Sequence, residues 1–153
     1  MKSINQWLDE YGAHHKNPIN KIVHWICVPL IFFSVVGLLY SVKLPYTVFE
    51  FKLNLAVFAL VFVMLFYQKL SASLSFGMFI FSILCLYFCN LIELNGARLW
   101  LVSIVIFVAA WIGQFIGHKI EGEKPSFLDD VQFLLIGPAW LMSFIYKKIG
   151  VKI

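Results

Sequence analysis

The sequence predicts an all-α integral membrane protein of a single domain, residues 1–153. It has four transmembrane helices in an up-down bundle, an N-terminal amphipathic helix and a broken C-terminal re-entrant or interfacial segment. Three observations predict this class. The chain is 61% hydrophobic and 13% charged, with mean hydropathy +0.87, where a soluble domain carries about 25% charged residues. Its apolar residues gather into long uncharged runs joined by short connections. Its basic residues fall between those runs, so the net charge of +4 sets topology and does not mark a nucleic-acid surface.

The elements follow in order. Ile4, Trp7, Leu8 and Tyr11 sit at i, i+3, i+4 and i+7, the stripe of a short amphipathic helix lying on a membrane surface. The N-terminus is polar through Lys21 and the next apolar run is long enough to span, so a cleavable signal peptide is not expected. Asn17 and Pro18 read as an N-cap followed by a proline at the first helical position. The helix they start carries Asn20 and His24 on one face. Pro29 predicts a kink beside His24. Four runs are read as spans, at about 22–42, 53–68, 70–92 and 99–117, each near the ~20 residues that cross a hydrocarbon core. The very tight connection at Lys69 suits antiparallel neighbours. A fifth run, 131–146, is short and holds Gly137-Pro138 at its middle, which predicts a broken segment packed on the bundle. Cys27, Cys85 and Cys89 lie inside apolar runs without metal spacing and are read as buried thiols.

Basic residues decide between four spans and five. With four spans and both termini on one side, nine of the twelve lysines and arginines share that side and three face the other. A fifth span would divide them equally. The positive-inside bias therefore predicts four spans and cytoplasmic termini.

The same parity brings the chemistry together. His14, His15 and His24 precede or begin the first span, and His118 follows the fourth, so all four histidines return to one membrane face. Glu121 shares a helix face with His118 if the helix continues. Imidazoles and a carboxylate with open positions are the donors of a non-haem iron(II) oxygenase site, and zinc takes the same groups. His14 and His15 point ~100° apart on a helix and do not serve one metal together. Lys16, Lys21 and Lys119 lie where they would steer an anion, though ordinary positive-inside lysines sit there too.

On these residues the chain resembles the small membrane family of iron(II)-dependent 2-hydroxy fatty acid dioxygenases, the Mpo-like proteins, especially their short bacterial members. The first motif, H-x-N-P-x-N-x-x-x-H-x-x-x-x-P, is His15, Asn17, Pro18, Asn20, His24 and Pro29. The second, G-H-x-x-E-G-x-x-P, is Gly117, His118, Glu121, Gly122 and Pro125, followed by Asp130 and Ile136-Gly137-Pro138. The resemblance implies Fe(II) held by His15, His24 and His118, with His14 outside the pattern. Asn20 and Glu121 are then the supporting catalytic residues, and Lys21 and Lys119 the candidate substrate-binding cations. It implies O₂ as co-substrate and a long-chain 2-hydroxy fatty acid shortened by one carbon. The expected location is the bacterial inner membrane, or the endoplasmic reticulum in a eukaryote, with the site on the cytoplasmic side. Two other functions fit the same sequence: a haem-binding electron-transfer protein with haem between His24 and His118, and a non-catalytic membrane interaction protein for which the histidines are incidental.

Overall fold

The computed structural model describes residues 2–48, 51–122, 124 and 132–153. Among the described residues, six helices and one hairpin follow in order: α1 (Ile4–Ala13), α2 (Pro18–Ser41), β1 (Lys43–Val48), β2 (Phe51–Asn54), α3 (Leu55–Leu70), α4 (Ala72–Leu94), α5 (Leu99–Glu121) and α6 (Phe133–Ile149). Local chemistry fixes the helix starts. Ser3 and Gln6 form a reciprocal capping box on α1. Asn17 accepts from the Ile19 amide at 2.9 Å, with Pro18 opening α2. Ser71 closes α3 and caps α4, so a single residue makes the tight turn between them. At the end of α5, Gly122 takes φ +82°, a left-handed position that suits glycine.

α2, α4 and α5 are long and apolar enough to cross a membrane, while α3 is apolar but shorter. Their outer surface is apolar as well: Phe62 and Phe76 are 71% and 65% exposed. That exterior suits lipid and would be a liability in water.

α2 is the central helix. α5 lies antiparallel along it, placing Gly117 against Asn20 and Val23, Gly113 against Cys27, and Gly37 against Ser103. A Cβ at Gly117 would stand 2.5 Å from Asn20 Oδ1, and one at Gly113 would stand 2.6 Å from Cys27 Sγ. Small residues thus let the two backbones approach, the usual device where apolar burial cannot drive helices together. On its other sides α2 meets α3 and α4. α5 barely touches α4, so neighbours in sequence are not always neighbours in space, unlike a simple up-down ring.

Two details depart from or add to the sequence reading. The connection after α2 is an antiparallel hairpin pairing Lys43 with Asn54 and Thr47 with Lys52, and α3 starts at Leu55, two residues later than the apolar run. The C-terminal run is one helix, unbroken at Gly137-Pro138. Its first expected residue, Val131, lies outside the described residues. Gly137 serves as a contact point, since a Cβ there would stand 2.9 Å from the Tyr11 hydroxyl. In the turn before Pro138, the Leu135 carbonyl accepts a bond from the Tyr67 hydroxyl at 2.6 Å. At the other end of α6, Tyr146 donates to the Ser73 carbonyl at 2.6 Å. Tyr67 and Ser73 flank the α3–α4 turn, so both ends of α6 are held at one end of the bundle. α1 packs on α6 there, with Trp7 edge-on to Phe133 at 5.5 Å.

Candidate metal centre

His15, His24 and His118 converge at the bundle end where α1 and α6 lie. Their ligand atoms all fall within 4.8 Å of one another, and the three residues are 1%, 1% and 3% exposed. His14 is not part of this group.

The backbone sets the tautomers. His15 Nδ1 lies 2.6 Å from the Tyr11 carbonyl and His24 Nδ1 lies 2.9 Å from the Asn20 carbonyl. A carbonyl only accepts, so each Nδ1 carries the proton and donates it. Both Nε2 atoms are then lone-pair bearing, and they face each other at 2.8 Å. Two opposed lone pairs at that distance repel unless a cation or a proton stands between them. Metal-ligating histidines are commonly oriented by such a donation from the other ring nitrogen.

His15 is clamped from both sides. Its ring stacks on Tyr11 with centroids 4.3 Å apart and 14° between planes. After it, the Lys16 and Asn17 amides donate to Glu121 at 2.9 and 3.0 Å. The Asn20 side chain also donates to Glu121, at 2.9 Å. Glu121 therefore binds the start of α2 to the end of α5 and stays outside the triad. Its bonds fix the backbone that carries His15 and His24. Asn20, fully buried, joins both layers, with its carbonyl on His24 and its amide on Glu121. Pro125 and Asp130 of the second motif lie outside the described residues.

A cavity of about 560 Å³ starts at His24, His118 and Tyr11. It continues along α2 past Val28, Phe32 and Val35 to Leu39, against Ala56, Ala59 and Val63 of α3 and Phe107 and Trp111 of α5. The rise of α2 from His24 to Leu39 is about 22 Å, comparable with an extended long acyl chain. Neither Lys21 nor Lys119 lines it: Lys21 is half-buried and Lys119 exposed. Tyr11 and Gln114 do line it and carry no motif. Burial raises the Tyr11 hydroxyl pKa well above the usual phenol range, so it stays neutral. For Gln114 the available sequence signal is one polar side chain in an apolar run, a turn before His118.

The donor set fits a metal. Three neutral imidazoles suit iron, zinc, copper or nickel and leave positions open, as a catalytic centre requires. Fold and site together define a helical, membrane-type protein with a buried three-histidine centre leading into an apolar cavity. The chain belongs to the Mpo1-like family: the family model described as "2-hydroxy-palmitic acid dioxygenase Mpo1-like" matches residues 1–149. It is similar to the 2-hydroxy-palmitic acid dioxygenase MPO1 of Saccharomyces cerevisiae, with 31% identity covering 98% of this chain and 83% of the yeast protein. No solved structure matches it.

Proposed function

We propose that this protein is an iron(II)-dependent dioxygenase that shortens long-chain 2-hydroxy fatty acids by one carbon. The observation that carries the proposal is the histidine triad placed at one end of an acyl-sized apolar cavity. The name of the yeast relative supplies the substrate class. His15, His24 and His118 would hold the metal. Iron(II), when bound, supplies the redox chemistry that activates dioxygen and a Lewis-acid anchor for the substrate head.

The protein's own residues do the rest. The Tyr11 and Asn20 carbonyls hold two imidazoles in the ligating tautomer. Glu121 and Asn20 keep the two motif segments in register. The cavity takes the acyl chain and excludes water from the head. Lys21 and Lys119, outside the lining, act at longer range by drawing the carboxylate to this face of the membrane.

Four spans with α6 lying along the histidine end form the membrane arrangement of this proposal. Its support is that both ends of α6 are fixed at the same α3–α4 turn. The termini and the site then share the cytoplasmic side.

Metal analysis tests the centre. Wild-type protein purified with Fe(II) is expected to hold one iron per chain, without a haem Soret band. Alanine at His15, His24 or His118 should each remove most of it, since a site with few ligands loses affinity steeply, and His14→Ala should keep it. Full iron in His118→Ala would separate the two halves of the site and sink the reading.

A further inference from the structure

The cavity is apolar along most of its length; beyond the histidines its polar lining residues are Tyr11, Gln114 and Gln132, of which only Gln114 lies within a long apolar helix. Gln114 lies on α5 one turn before His118, and residues four apart share a helix face. It lines the cavity and is only 6% exposed. Among the described residues its amide has no hydrogen-bond partner. By contrast, the buried hydroxyls of Ser34, Ser82 and Ser143 each donate to a carbonyl of their own helix at 2.7–2.8 Å. Ser103 lacks such a bond, but its hydroxyl is pressed against Gly37 in the α2–α5 contact. Gln114 is different because its unpaired amide faces open space. Buried polar groups in native proteins are met by protein, water or ligand, and leaving one unmet is costly.

We propose that Gln114 binds the 2-hydroxyl group of the substrate and selects hydroxylated acids over plain ones. The proposal rests on the dioxygenase reading above and adds the residue that reads the substituent. An amide offers one donor side and one acceptor side, and a hydroxyl needs both. A bare methylene chain offers it nothing, and a carboxylate has no proton to give its carbonyl. The spacing also fits. Side chains at i and i+4 are about 5–6 Å apart at Cβ, roughly the span of two successive polar contacts. With the carboxylate end of the acid held at the histidines, the adjacent 2-hydroxyl falls on the side of the cavity that Gln114 lines. An unsubstituted acid would leave the amide buried and unpaired, and sites built to bond a hydroxyl discriminate strongly against analogues that lack it.

The test compares binding of 2-hydroxypalmitate and palmitate to the full-length protein in detergent, without oxygen, by displacement of a fluorescent fatty acid. Iron content is measured on the same samples. Gln114→Met keeps the length and flexibility of the side chain, and Gln114→Leu is a second variant should the first fold poorly. Wild type is expected to prefer the hydroxylated acid. Each variant should bind 2-hydroxypalmitate about tenfold more weakly. Each should bind palmitate at least as tightly as wild type, with iron unchanged. Opposite responses to the two acids are not produced by a general loss of packing. A variant that keeps the wild-type preference, or weakens both acids equally, overturns the assignment. Absence of any preference in wild type itself would overturn the dioxygenase reading beneath it, and the Gln114 assignment with it.

Discussion

Asn20 joins the two halves of the site through one side chain and one carbonyl. The carbonyl fixes the His24 tautomer, and the amide holds Glu121 from the other end of the sequence. Glu121 then bonds the two amides that follow His15. This division of labour predicts the behaviour of Glu121→Gln. A neutral amide group cannot accept the same set of bonds as strongly, and hydrogen bonds to a charged group are worth about 1.5–3 kcal/mol each. Melting should show a loss of about 2 kcal/mol, with iron partly retained and turnover lowered. Iron falling to the level of His118→Ala would instead make Glu121 a ligand. These residues are legible in the sequence because their spacing from helix caps and span ends places them on one face. The role of Glu121 is less legible: its partners lie more than a hundred positions away, and only the fold shows that it grips backbone. Gln114 is less legible still, since a lone glutamine in an apolar run has many ordinary explanations until a cavity is seen beside it.

Among the elements, α2 carries the most. It supplies His24, one wall of the cavity and the face on which α5 packs. Its start was readable from Asn17 and Pro18, whose capping chemistry is local. The hairpin was not readable, because the polar residues between the first two spans satisfy a loop as well as two short strands. The continuity of α6 was also hidden. Glycine and proline signal a break by local propensity, yet here Tyr11 packs against Gly137 and Tyr67 bonds the Leu135 carbonyl in the turn before Pro138. α3 offers a test of the cavity as an acyl site. Ala59 lines it toward the hairpin end, so Ala59→Phe should fill space far from the histidines. The expected result is a shift toward shorter substrates. kcat/KM for the longest acids should fall about tenfold, a change of ~1.4 kcal/mol in barrier, while short acids react as in wild type. A uniform loss across chain lengths would place the acyl chain elsewhere.

The whole molecule is a bundle with two unlike ends. One carries the histidines, α1 and α6. The other carries the hairpin, held by the Lys43–Glu93 ion pair at 2.7 Å. In the proposed four-span arrangement, the positive-inside bias puts the histidine end on the cytoplasmic side. Cysteines introduced at positions 2 and 152 should therefore react with an impermeant reagent from the same side. Labelling from opposite sides would mean that α6 crosses the membrane.

The central claim is chemical, and product analysis tests it most directly. Purified protein supplied with Fe(II), O₂ and a long-chain 2-hydroxy fatty acid is followed by mass spectrometry, with the unsubstituted acid in parallel. The account predicts an O₂-dependent product one carbon shorter from the 2-hydroxy acid and none from the unsubstituted acid. Equal turnover of both acids, or no turnover at any chain length in iron-loaded protein, would contradict it.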